Sequence, residues 1–179
     1  MTAYVLLFRG VGGATQLPTA PLRAALTEAG FGNVATYINS GNAVLASGRP
    51  REEILAQVAA LCAVRFSFCK DIHVRSRAEW VELVARSPFP AATAAPTSLH
   101  AAVLAQDPDP ARIAALQAVA ENGDELLVLG RVAYLHTPRG FGRSKLAARF
   151  DKGLGVPNTA RNWNTVLRLL HLVTEAERD

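Results

Sequence analysis

The strongest constraint on the fold is the order in which hydrophobic periodicity changes over the first 75 residues. Residues 3–9 form a short apolar run rich in aromatic and β-branched types, which reads as a buried strand. From about Thr19 to Ala29 the pattern turns helical. Leu22, Ala25, Leu26 and Ala29 recur at i, i+3, i+4 and i+7, Pro21 suits the first turn, and Gly30 is a stop. Residues 34–38 and 43–46 then read as two strands joined by Asn39-Ser40-Gly41-Asn42, a linker whose residues tolerate left-handed backbone. A helix over 51–64 gathers Ile54, Leu55, Val58, Leu61 and Cys62 on one face, and a strand follows at 71–75. The order βαββαβ predicts an α+β fold whose first half is a ferredoxin-like split βαβ unit.

Ser76-Arg77-Ala78-Glu79 is a capping box that opens a helix to about Arg86. Residues 87–97, rich in Pro and Ala, read as a connection. Beyond it lie a strand at 99–104 and a helix that Asp109-Pro110 caps and Asn122-Gly123 ends. Strands at 125–129 and 132–136 flank the Gly130-Arg131 hairpin. Two helices, at about 144–152 and 160–176, close the chain. The second half is thus expected to be a degenerate ferredoxin-like repeat, similar in topology alone, with a helix in place of its last strand. The expected organisation is residues 1–75, a linking stretch 76–97, and residues 98–179, all of which can pack as one unit.

Composition narrows the class. Half of the 179 residues are apolar and 19% are charged, which excludes disorder. Cys62 and Cys69 make neither a disulfide framework nor a CxxC metal site, so a cytoplasmic location is expected. The run Tyr4–Phe8 is too short for a signal peptide and has no basic residue before it. No stretch reaches the roughly 18 apolar residues of a membrane helix, so no membrane partner is expected.

The net charge of +4 is unevenly placed. From Arg139 to Arg168 there are seven basic residues and one acid, a net +6, which leaves −2 for the rest. A solvated helical face is the plain reading of that segment. Two helix starts within it suggest more. Arg161 falls in the first turn of the expected C-terminal helix, capped by Asn158 or Thr159, with Asn162 and Asn164 beside it. A cation is disfavoured at this positive end of the helix dipole. It needs a partner, either an internal carboxylate such as Asp151 or a bound anion. Ser144 caps the preceding helix, yet Arg143 and Lys145 flank it. The loop Arg9-Gly10-Val11-Gly12-Gly13 offers backbone donors, although it matches neither GxGxxG nor a P-loop.

Bond-making groups are not evident. His73, His100, His136 and His171 are scattered without metal-ligand spacing, so no metal or cofactor is expected. Cys62 reads as inert core, and Ser144 and Lys145, adjacent on a helix, do not face each other. No G-x-S-x-G elbow appears. The strand Ala43-Val44-Leu45-Ala46 carries no aromatic residue, which argues against base stacking on the sheet.

Four blocks carry a family resemblance. They are Tyr4-Val5-Leu6-Leu7-Phe8-Arg9-Gly10-Val11 with its Gly-Gly, Thr36–Asn42, Gly140-Phe141-Gly142-Arg143-Ser144-Lys145-Leu146, and Leu154-Gly155-Val156-Pro157 leading into Thr159–Val166. The chain resembles the bacterial DUF1697 family, which implies an α+β fold with ferredoxin-like halves and supplies no catalytic residue, cofactor or substrate. The first loop departs from the R-G-[IV]-N-V-G-G common in that family, being two residues shorter and lacking its Asn.

The expected function is binding of an anion, either a phosphate-bearing small molecule or a nucleic-acid backbone. The candidate site joins Arg143, Ser144 and Lys145 with Arg161, Asn162 and Asn164. Arg9, Gly12, Gly13, Asn39, Ser40 and Asn42 are its further candidates. The alternatives are an enzyme acting on a phosphorylated small molecule and a structural or partner-binding module without a ligand.

Overall fold

The computed structural model describes residues 1–39 and 41–178, which form two antiparallel four-stranded sheets and six helices. The first six elements are β1 (Thr2–Phe8), α1 (Thr19–Glu28), β2 (Gly32–Thr36), β3 (Asn42–Ser47), α2 (Arg51–Phe66) and β4 (Ile72–Ser76), with strand order β2-β3-β1-β4. Strand alternation decides the core. Tyr4, Leu6 and Phe8 pack with Ala43, Leu45 and Val74 against Leu22 and Leu26 of α1 and Ile54, Val58 and Cys62 of α2. Phe8 meets Phe68 edge-on at 5.7 Å. Burial pushes the Cys62 thiol up to about 11, which keeps it protonated and inert.

The capping box forms as expected at the start of α3 (Arg77–Ala85). The Ser76 N–H donates to Glu79 Oε2 at 2.7 Å, the Glu79 N–H donates back to Ser76 Oγ at 3.3 Å, and Arg51 Nη2 reaches Glu79 Oε2 at 2.6 Å. Burial alone raises the Glu79 pKa, but the Ser76 N–H and Arg51 outweigh it and hold the carboxyl below its ordinary 4.5. With a depressed folded pKa, this contribution is present above the unfolded carboxylate range and disappears as pH falls through the folded value. Glu79→Gln should therefore lower the unfolding midpoint at about pH 7, and the difference from wild type should shrink as pH falls below the ordinary carboxylate range. A difference that persists undiminished at acid pH would contradict this.

Beyond 3-10 turns at Pro90–Ala94 and Pro96–Ser98 come β5 (Leu99–Leu104), α4 (Pro110–Gln117), β6 (Glu125–Leu129) and β7 (Val132–His136). A 3-10 turn at Phe141–Arg143 precedes α5 (Lys145–Gly153), β8 (Asn158–Asn162) and α6 (Trp163–Arg178). The sheet order is β6-β7-β5-β8. Here the structure corrects the sequence reading. Residues 158–162 are a strand paired with β5, Ala102 opposite Ala160 and Leu104 opposite Asn158, and not the start of a helix. Asn158, Thr159 and Asn162 are weak helix formers, and Ala160 packs into the core beneath α4 and α5. The second half therefore completes the order βαββαβ with its own last strand, and it does not end in two consecutive helices. The cap of α6 is Asn162, whose Oδ1 accepts from the Asn164 N–H at 2.8 Å, in place of Asn158 or Thr159. Asn158 instead donates through Nδ2 to the Asp151 and Val156 carbonyls.

The core of this half sets Ala102, Leu104, Ala133 and Leu135 against Leu116, Leu146, Phe150 and Leu154. The chain divides into two compact units, Met1–Glu82 with Arg168–Asp179, and Leu83–Leu167. In the first, Asn33 Nδ2 donates to the Ala176 carbonyl at 2.9 Å and Arg77 pairs with Glu177 at 2.9 Å. Among the described residues no helix is long and apolar enough to cross a membrane, and no group of His, Cys, Asp and Glu is placed to hold a metal ion.

Candidate functional site

The polar recess of the second unit is built by two short connections. After β7, the Gly140 N–H donates to the Thr137 carbonyl at 2.9 Å, and Gly140 takes φ +101°, a conformation open to glycine. The following 3-10 turn delivers Ser144 in extended backbone, where its Oγ accepts from the Ala147 N–H at 2.9 Å and caps α5. Leu146, Ala147 and Phe150 anchor α5 in the core, so its start is fixed. The Lys145 and Leu146 N–H groups, at the first two helical positions, have no intrahelical acceptor and lie at the positive end of the dipole.

The second connection joins α4 to β6. Asn122 and Gly123 adopt left-handed φ of +59° and +85°. Asn122 Oδ1 accepts from Arg139 Nη1 at 3.0 Å, and a Cβ on Gly123 would lie 3.3 Å from Pro138. Between the connections lies a recess of about 330 Å³ lined by Asn122, Asp124, Arg139, Gly140, Arg143 and Ser144. Arg143 makes no ion pair or side-chain hydrogen bond among the described residues. Lys145 is paired with Glu121 at 3.0 Å, an exposed pair that contributes little to stability. His100 stacks on Phe141 at 4.4 Å between ring centroids, and burial lowers its pKa to about 4. It is therefore neutral at pH 7 and adds no charge here.

The structure brings together only part of the expected site. Arg143 and Ser144 line the recess, with Lys145 next to them. Arg161 lies on β8 and not in a helical first turn, so the dipole argument for its anion does not hold. Its Nη1 donates to Thr159 Oγ1 at 2.7 Å and to the Ala160 carbonyl at 2.8 Å, and burial lowers its pKa to about 10. Asn162 is the α6 cap, and Asn164 is exposed beside it. None of these three lines the recess.

The remaining candidates belong to the first unit. The Arg9 N–H donates to the Asp71 carbonyl at 3.0 Å. Gly12 and Thr15 exchange two backbone hydrogen bonds, and the Gly13 carbonyl accepts from Gln16 Nε2, so this loop closes on itself. Asn39 is exposed, and Ser40 lies outside the described residues. Asn42 is buried and donates through Nδ2 to the Tyr37 carbonyl at 3.1 Å, a role in closing the turn.

Sequence reasoning missed Asn122, Asp124, Arg139 and Gly140 as recess residues. Asn122-Gly123 was legible as a helix stop, and Arg139 counted only toward the basic segment. A smaller recess of about 260 Å³, lined by Arg112, Ala115, Leu116, Val119, Arg149 and Gly153, lies between α4 and α5.

Residues 1–134 match the family model described as "Protein of unknown function (DUF1697)". That span contains the first two motif blocks, and the blocks at 140–146 and 154–166 lie beyond it. The comparison with curated proteins finds no match. Among solved structures the chain is similar to the conserved bacterial protein SP0830 from Streptococcus pneumoniae, with 22% sequence identity and a TM-score of 0.70. The likeness covers 96% of this chain and 98% of that one, and at this identity it establishes a shared fold alone.

Proposed function

The chain belongs to the DUF1697 family, and we propose that it binds a small anionic molecule in the recess at the start of α5. One observation carries this reading. Arg143, whose guanidinium makes no ion pair or hydrogen bond among the described residues, lines the same recess as Arg139 at the positive end of a capped helix. A guanidinium and backbone N–H groups at fixed positions are the donors that a phosphate or carboxylate takes. Binding is favoured over serine chemistry because Ser144 Oγ is engaged in capping Ala147. A small ligand is favoured over a nucleic-acid backbone because Asp124 lines the recess and Glu121 neutralises Lys145, which interrupts any track of positive charge.

Two further parts of the reading have structural support. Each half is read as a ferredoxin-like unit, since β2-β3-β1-β4 and β6-β7-β5-β8 follow one order once the second set is renumbered. A cytoplasmic location accords with two free cysteines, Cys62 and Cys69.

The binding reading is tested by titrating the intact protein with inorganic phosphate and following backbone amide resonances. Saturable shifts are expected at Lys145 and Leu146, with none at Gly12 or Gly13. Shifts spread over the whole surface, or none at α5, would contradict the site. An oligonucleotide that binds far more tightly than phosphate, with a steep salt dependence, would replace the small anion by a nucleic-acid backbone.

A further inference from the structure

We propose that the occupant of this recess is a phosphate ester of a polyol, its phosphoryl group held by Arg143 and the start of α5 and a hydroxyl donating to Asp124. The inference rests on the anion-site reading above and adds the class of ligand. Asp124 carries it. This residue is only 8% exposed and lines the recess with the two arginines, and its carboxylate has no hydrogen bond or ion pair among the described residues. A carboxylate that lines the recess repels a bare anion placed beside it, whereas a ligand that brings its own donor turns that repulsion into a charge-assisted hydrogen bond. The Asp124 N–H is engaged with the Glu121 carbonyl at 3.0 Å, so the residue is held in place at the recess.

Charge and size narrow the donor. Arg139, Arg143 and Asp124 give the lining a net charge of +1, which favours a ligand of net negative charge. A hydroxyl leaves the ligand's anionic charge intact, whereas an ammonium group offsets it. A volume of about 330 Å³ suits a small phosphorylated metabolite better than a dinucleotide.

The matched probes are glycerol 3-phosphate and propyl phosphate, which share a three-carbon chain and differ in the hydroxyls. Calorimetric titration of the intact protein should show glycerol 3-phosphate binding about ten-fold more tightly, the factor expected of one charge-assisted hydrogen bond. Asp124→Asn should bring the two affinities to within about three-fold of each other and tighten propyl phosphate, because a repelling charge is gone. Equal binding of both esters by wild type, which needs no variant to fold, would overturn the inference and leave the anion site standing. A preference unchanged in Asp124→Asn would overturn the role of Asp124. Tighter binding of phosphoethanolamine than of glycerol 3-phosphate would overturn the hydroxyl in favour of an ammonium group. If neither ester nor inorganic phosphate binds, the anion-site reading itself fails.

Discussion

Gly41→Ala should destabilise the protein by about 2–4 kcal/mol, the sum of a left-handed backbone penalty and an overpacked contact. Gly41 has φ +76°, and its carbonyl accepts from the Phe8 N–H at 2.9 Å, which joins the β2–β3 turn to the end of β1. A Cβ there would sit 2.6 Å from Val11 Cγ2, 2.8 Å from Phe8 Cβ and 3.0 Å from the Phe8 carbonyl. The last of these is backbone and cannot swing aside. Gly13→Ala is the control, since Gly13 also has a left-handed φ, +57°, but open space where the Cβ would go. It should cost only about 1 kcal/mol. Urea denaturation of both variants separates the terms, and equal costs would show that the close approach at Gly41 is not tight.

The second large effect concerns the helix that carries the recess. Leu146 is fully buried among Ala102, Leu135, Phe150 and their neighbours. Truncation to alanine removes the burial of its side chain and leaves a cavity, so Leu146→Ala should cost about 3 kcal/mol. Leu127, 40% exposed on β6, is the comparison, and its replacement by alanine should cost less than about 1 kcal/mol. A similar loss in both variants would mean that α5 is not anchored through Leu146.

Much of the fold was legible because burial writes a period into the chain. The sequence bounds of β5, β6 and β7 coincide with those observed, and the caps Ser76, Asp109 and Ser144 all accept the backbone hydrogen bonds expected of them. The strand β8 was not legible. Its sequence, Asn-Thr-Ala-Arg-Asn, has one apolar residue and no alternation, and its extended state is set by pairing with β5. The strongly periodic helix that follows drew the expected boundary too far toward the N-terminus. Moving it displaced Arg161 from a helix start to a sheet, and with it half of the expected anion site.

The half that remains, Arg143 and Ser144, was read from the polar start of α5. Its counterpart, Asn122 to Asp124, lies about twenty residues earlier in the chain. The two meet because β6 and β7 pair and α5 follows closely, a juxtaposition that no local pattern encodes. The Asn39–Asn42 linker shows the reverse case. Asn42 was a candidate as part of that loop, and in the structure its side chain donates to the Tyr37 carbonyl while the Gly41 carbonyl accepts from the Phe8 N–H.

The central claim is that Arg143 and the start of α5 form one specific anion site. The most direct measurement is calorimetric titration of inorganic phosphate into wild type, Arg143→Ala and Arg112→Ala, the last removing the same charge outside the recess. Wild type and Arg112→Ala should bind with affinities within about two-fold of each other, and Arg143→Ala should bind at least about ten-fold more weakly. Equal affinities in all three proteins, or no binding by wild type, would contradict the site.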